Sequence, residues 1–189
     1  MVGIDISSKM LEIAQKENAH TKIEYRNMPI EEISTLEESF DVVVSSLALH
    51  YVQDFEGVAK NVYRLLGAGG VFLFSQEHPI VTSHSTGDRW TRDAAGKKQH
   101  VNLSNYGVEG ERLTTWFVDN VRIYHRTFSS IVNALTDAGF SISKMIEPLP
   151  TEELLERHPE QADLLHKPDF LLIKAEKRSV AVDNRSERT

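Results

Sequence analysis

The sequence contains no cysteine. A disulfide framework and a thiolate metal site are therefore both excluded. No apolar run reaches the length of a membrane span, and no basic-then-apolar segment at the start suggests export. No membrane partner is expected, and cytoplasmic is the expected location. Positive charge is also scarce. There are 21 Lys and Arg against 28 Asp and Glu, a net charge of -7, and the pI is about 5.6. A general nucleic-acid binder needs a basic face, so no nucleic-acid partner is expected. His84, His100, His158 and His166 show no metal-ligand spacing, and no metal is expected. What is present is ordinary for one globular domain: 189 residues, 40% hydrophobic and 26% charged, enough for a sizeable core.

The chain is organised around Phe40-Asp41-Val42-Val43-Val44-Ser45-Ser46-Leu47-Ala48-Leu49-His50-Tyr51-Val52. Its β-branched run, bounded by polar residues, reads as a strand buried on both faces. In open α/β sheets, ligands sit just beyond the carboxyl ends of strands. Ser45, Ser46, His50 and Tyr51 therefore stand where a ligand is expected, or they form an ordinary loop.

Elsewhere the pattern alternates. Val2–Ile6 and Ile23–Arg26 read as strands. Between them lies a helix capped by Ser7 or Ser8, with Met10, Leu11 and Ala14 on one face and Ile13 beside them. The spacing of Phe55, Val58, Ala59, Val62, Leu65 and Leu66 predicts an amphipathic helix capped by Asp54. Gly67 is expected to stop it and Gly69-Gly70 to return the chain into a strand at Val71–Ser75. Alternating strands and helices imply a parallel sheet with right-handed crossovers. Residues 80–126 break the pattern. They carry a hairpin around Asp119-Asn120 and are expected to form a lid over the carboxyl edge. Thr127 caps a further helix that ends at Gly139. Strands follow at Ser141–Ile146 and Phe170–Ala175, with short helices at Thr151–Arg157 and Pro159–Lys167. Residues 176–189 read as a mobile tail, leaving 1–175 as one domain.

Several segments together resemble the class I S-adenosylmethionine-dependent methyltransferases of the broad type 11 kind. The carriers are Val2-Gly3-Ile4-Asp5-Ile6-Ser7 with Lys9-Met10-Leu11, then Ser39–Ser46 with Leu49-His50-Tyr51. Leu65-Leu66-Gly67-Ala68-Gly69-Gly70-Val71-Phe72 and Leu135-Thr136-Asp137-Ala138-Gly139-Phe140 complete the series. The resemblance implies a Rossmann-like, mostly parallel α/β sheet whose last strand is antiparallel. It implies S-adenosyl-L-methionine as cofactor and a small-molecule methyl acceptor as partner. By it, Asp5, with Ile6, would hold the ribose, Asn27 and Met28 would border the adenine, and Ser45, Ser46 and Leu47 would line the methionine side. Read from the residues alone, Asp5 suits the ribose diol of an adenosine cofactor or serves as an acid at a helix N-terminus.

The family opens with a strand and a Gly-rich loop, and nothing here precedes Met1. The expectation is a truncated chain missing the first central strand, with its own activity in question. Open sheet edges would then invite self-association. Candidate catalytic residues are Glu77 and His78 after a strand end and His125 after the hairpin, able to orient or deprotonate an acceptor. Candidate substrate contacts are His50, Tyr51, Trp90, Trp116 and Arg126. Two alternatives stay open: a nicotinamide-dependent oxidoreductase, which also uses an Asp at this position, and a non-catalytic remnant or binding module.

Overall fold

A computed structural model describes residues 1–85 and 87–178. Two sheets carry the expected site. Strands β1 (Val2–Asp5) and β2 (Glu24–Asn27) form a parallel pair, with helix α1 (Ser8–Glu17) between them in sequence. The larger sheet has four strands: β3 (Phe40–Ser46), β4 (Leu66–Glu77), β9 (Phe140–Ile146) and β10 (Phe170–Lys177). Their order is β3-β4-β10-β9. β3 and β4 are parallel, while β10 runs antiparallel to both β4 and β9. The last strand thus lies between two strands of the opposite sense, and the sheet is mixed. Among the described residues no ladder joins β1 to β3.

Helices α2 (Phe55–Leu65) and α4 (Phe128–Asp137) cover one face of the larger sheet. Phe72 and Phe74 from β4 and Ile173 and Ala175 from β10 pack there against Val58, Val62, Ile131 and Leu135. Each large apolar side chain so buried is worth about 1.5–3 kcal/mol. The helices begin where side chains cap them. Ser7, Asp54 and Thr127 accept from Met10, Gly57 and Ser130 backbone N–H groups, which supplies a partner to an orphan donor.

Four expectations are corrected. β3 is not buried on both faces: Val42 and Val44 are 53% and 65% exposed, because α2 and α4 lie only on the side of Val43 and Ser45. α1 buries Leu11 alone, leaving Met10 and Ile13 exposed, since it packs chiefly on β1 and β2. Gly67–Gly70 make no return turn. α2 ends at Leu65, β4 starts at Leu66, and the glycines form a bulge: Phe40 pairs with Leu66, but Val42 already pairs with Val71. The backbones approach closely there, for a Cβ on Gly70 would lie 2.9 Å from the Gly67 carbonyl oxygen. The predicted tail begins too early, because Glu176 and Lys177 are paired in β10. Residues 179–189 lie outside the described residues.

The insertion is structured. It holds the short helix α3 (Pro79–Ser83) and a small hairpin, β5 (Trp90–Arg92) and β6 (Lys98–Val101). A larger hairpin follows, β7 (Gly110–Trp116) and β8 (Val118–His125). Its reversal is at Phe117, with φ +56, not at Asp119-Asn120. Asp119 instead accepts a hydrogen bond from the Thr115 hydroxyl. Between α4 and β10 come a short helix α5 (Glu152–Arg157) and a 3₁₀ turn, Pro159–Leu165. No helix among the described residues is long and apolar enough to cross a membrane.

Candidate functional site

The expected cofactor residues stand at the carboxyl ends of β1, β2 and β3, which among the described residues belong to two sheets. Asp5 closes β1, and its Oδ1 accepts from the Ser7 N–H at 2.7 Å. This turns the chain into α1 and fixes the carboxylate. Asp5 makes no ion pair among the described residues, so its second oxygen remains available. Asn27 ends β2 and clamps the β1 end from the side. Its Nδ2 donates to the carbonyls of Asp5 at 3.0 Å and Ile6 at 2.9 Å, and the Met28 N–H reaches Asp5 O at 3.1 Å. Ile6 is exposed, whereas Met28 packs partly on the core.

At the end of β3, Leu47 adopts φ +50, a left-handed conformation that costs a non-glycine residue about 1–3 kcal/mol. It is held there by β4: the Leu47 N–H donates to the Ser75 carbonyl at 3.0 Å. The Ser45 hydroxyl is buried without a partner. Ser46 is exposed beside it.

Beyond the end of β4 the predicted acid–base residues are packed tightly together. The Ile80 N–H donates to His78 Nδ1 at 3.1 Å, so its Nε2 carries the hydrogen that Glu147 accepts at 2.8 Å. His125 donates from Nε2 to the Tyr106 carbonyl at 2.9 Å and accepts the Thr82 hydroxyl at Nδ1 at 2.8 Å. It is fully buried. Both ring nitrogens are thus engaged in His78 and in His125, and neither is free to move a proton. Their work is to fasten α3 to β8 and to the segment after β9. The Glu77 carboxylate, in contrast, makes no hydrogen bond among the described residues. Burial pushes its pKa up, although nearby Arg89 pulls it down.

His50 is buried, with its ring 4.1 Å from that of Tyr51. The Glu77 N–H points at its Nδ1 from 3.4 Å. Burial, helped by the nearby Arg126 cation, lowers its imidazole to about 4, so it is neutral at neutral pH. Arg126 serves the backbone. It donates to the carbonyls of Leu49, Val52 and Gln53 and lies over the Phe55 ring, a cation at the end of the short 3₁₀ turn Leu49–Tyr51. The space enclosed by His50, Gln76, Glu77, Tyr124 and Arg126 holds no volume that water could enter. Substrate contact by His50 and Arg126 would therefore require movement.

The tryptophans part company. Trp90 meets His166 edge-on at 5.6 Å and lies under Lys98, which ties the β5–β6 hairpin to the turn before β10. Trp116 sits beside Phe117 at the tip of the other hairpin, and both are exposed. Three residues that sequence reasoning passed over, His84, Arg89 and Arg112, surround a cleft of about 320 Å³ that Glu77 also lines. Nothing in their spacing announces it. Among the described residues no group of His, Cys, Asp and Glu could hold a metal ion.

The chain is similar to several known proteins. The family model described as a methyltransferase domain matches residues 1–74. The chain is 40% identical over 185 residues to an uncharacterized protein of Haemophilus influenzae, covering 94% of this chain and 72% of that one. The crystal structure of an S-adenosylmethionine dependent methyltransferase from Mesorhizobium loti superposes with a TM-score of 0.83 at 38% identity, covering 93% of this chain and 79% of that one. The juvenile hormone acid O-methyltransferase of Bombyx mori is 34% identical over 90 residues, and the match covers 46% of this chain and 32% of that enzyme.

Proposed function

We propose, from the premise that this chain belongs to the class I S-adenosylmethionine-dependent methyltransferases, that its β1–β3 edge binds S-adenosylmethionine for methyl transfer to a small-molecule acceptor. The observation that carries this reading is Asp5. It closes a parallel strand, its carboxylate is oriented by the Ser7 N–H, and no cation neutralises it. A carboxylate has enough acceptor positions to take a vicinal diol as well as that N–H. Asn27 and Met28 flank it for the adenine. Ser45, with a buried hydroxyl lacking a partner, fits the polar methionine portion beside Ser46 and Leu47. Among the described residues no Gly-rich β–α turn stands near this edge, so the fit covers the ribose and adenine better than the amino-acid end.

The bound cofactor would supply an electrophilic methyl on a sulfonium. The protein's part is to align the acceptor with it, and proximity accounts for much of the rate. Where the acceptor carries a proton, Glu77 is the residue to take it, because its carboxylate is unengaged and burial makes it more basic. His78 and His125 position α3 and β8 around it. Residues 80–126 act as a lid over the edge, with Trp116 at its tip able to close on the acceptor, and Tyr51 lines the same side.

Calorimetry with S-adenosylhomocysteine tests the reading. Asp5→Ala should weaken binding by about tenfold or more, the loss expected for hydrogen bonds to a charged group. Unchanged affinity would remove Asp5 from the site. The nicotinamide alternative gives way to the family membership. One observation favours a second reading, a binding module without turnover: no ladder joins β1 to β3 among the described residues, so the two parts of the cradle belong to separate sheets. The unpaired edge of β3 would also pair readily with a second copy.

A further inference from the structure

The cleft beside Glu77 lies between the α3–β5 connection and β7. Its volume, about 320 Å³, falls within the range of small-ligand sites. Its lining mixes apolar Val81 and Ile123 with polar Arg89, Arg112, His84, Ser85 and Thr114, and Ile123 pairs across the hairpin with Arg112 on the same face.

Two guanidinium groups facing one cleft are notable in a chain of net charge -7. Neither is paired with a carboxylate among the described residues. Arg89 donates to the Val81 carbonyl at 3.3 Å. Arg112 donates to the carbonyl of Glu111 at 3.0 Å and to that of Val108. A guanidinium has five donors in a planar fork, so most of these donors remain uncommitted. The Nε of Arg112 is moreover buried with no partner. A buried charged donor left unsatisfied is costly, and an anionic oxygen is the acceptor that would match its charge.

His84 adds a second unsatisfied atom. Its Nε2 faces the Gly87 carbonyl at 3.0 Å. A carbonyl can only accept, so in the neutral ring Nε2 carries the hydrogen and Nδ1 is bare. That Nδ1 is also buried without a partner. A bare nitrogen does not bind an anion. It accepts a hydrogen bond from a hydroxyl or N–H on the same ligand. The anion therefore belongs to the arginines.

We propose that this cleft binds the methyl acceptor through a carboxylate held by Arg89 and Arg112, with the apolar remainder of the molecule against Val81 and Ile123. The acceptor is then a small organic acid. The word acceptor rests on the methyltransferase reading, whereas the anion site stands without it. Glu77 is the one acidic group lining the cleft. Two permanent cations outweigh it, and Arg89 lies near enough to act on its charge. Glu77, which ends β4, links the cleft to the carboxyl end of the larger sheet.

The test is an NMR titration of the full chain with benzoate and, as its neutral isostere, benzamide, at constant ionic strength. Benzoate should shift the Arg112 Nε–H and the Thr114 and Thr115 amides saturably, and benzamide should not. Arg89→Gln and Arg112→Gln should each weaken benzoate about tenfold. Should Arg112→Gln fail to fold, Arg112→Lys keeps the charge but loses the fork, and it too should bind benzoate more weakly. Equal shifts from benzamide, or benzoate affinity untouched by both substitutions at Arg89 and Arg112, would overturn the proposal. Tighter binding of inorganic phosphate than of benzoate would overturn the carboxylate assignment. S-adenosylhomocysteine binding is measured on the same samples. Its absence alongside intact benzoate binding would count against the methyltransferase reading and leave the anion site standing.

Discussion

The two faces of the four-stranded sheet use similar residues to different ends. On one, Phe72, Phe74, Ile173 and Ala175 meet two helices and are almost wholly buried. On the other, Val42 and Val44 of β3 and Leu73 of β4 are exposed. Val42 pairs with Val71 and Val44 with Leu73, so these side chains form one apolar patch across neighbouring strands. An exposed patch of this kind marks an interaction surface or an association hazard. A strand's hydrophobicity thus says that it can be buried. Which side is buried depends on elements elsewhere in the chain.

Substitutions on the two faces should differ most in stability. Phe74 touches the rings of Phe55 and Phe72 at centroid distances of 6.0 and 4.9 Å. Phe74→Ala should cost about 3–5 kcal/mol, and Val44→Ala no more than about 0.5 kcal/mol, in denaturant unfolding of each variant. A comparable cost at Val44 would show that something covers the open face in solution.

The covered side should also be the acid-sensitive one. His50 is held neutral, with its pKa lowered to about 4 from an ordinary 6.5. The folded state therefore binds fewer protons than the unfolded state between those values. Its contribution is present in full above the ordinary value and is lost as pH falls toward 4, about 3 kcal/mol in all. His125 is shifted down as well, chiefly by burial, and adds to the same slope. Unfolding free energies measured at about pH 7 and about pH 5 should differ by about 2 kcal/mol from His50 alone. In His50→Gln that difference should shrink by about 2 kcal/mol. A slope unchanged by the substitution would relocate the titration.

The smallest effect on stability, and the sharpest contrast between the faces, is expected from Val42→Lys with Val44→Lys. Unfolding should stay within about 0.5 kcal/mol of the parent. Sedimentation should shift toward monomer, because charge on an edge strand opposes pairing between copies. If sedimentation is the same for parent and variant, the open face does not drive self-association.

Much of the fold was legible because local chemistry decided it. The three- and four-residue steps of Phe55, Val58, Ala59 and Val62 match a buried helical face. Ser7, Asp54 and Thr127 each cap the helix that follows. The antiparallel last strand also appears where expected, at Phe170–Lys177. What misled was chemistry decided at a distance. A Val-Val-Val run looks the same whether one face is covered or two. Glycines that end a helix resemble glycines that form a bulge, and only the pairing of Phe40 with Leu66 distinguishes them. Asp119-Asn120 is a good turn pair, but the register of Trp116 with Val118 puts the reversal at Phe117. At the site, the positions of Asp5, Asn27 and Ser45 at strand ends were legible in the sequence. Arg89 and Arg112 were not, since they come together only when the α3–β5 connection meets the β7–β8 hairpin. The environment of His78 was equally hidden, because its partner Glu147 is distant in sequence.

The position of β10 bears on the order in which the molecule can assemble. β4 and β9 are not hydrogen-bonded to each other, and Phe170–Lys177 fills the place between them. Until that segment is made and inserted, Val71–Glu77 presents an unpaired edge, and Ile173 and Ala175 are missing from the core. The hydrophobic nucleus of α2, β3 and β4 is complete in sequence by residue 77 but must wait through nearly a hundred residues for its last partner. Long-range closure of this kind slows folding, and exposed strand edges make the waiting state prone to aggregate. This sheet is therefore most vulnerable during synthesis, and the late strand acts as the wedge that ends that exposure.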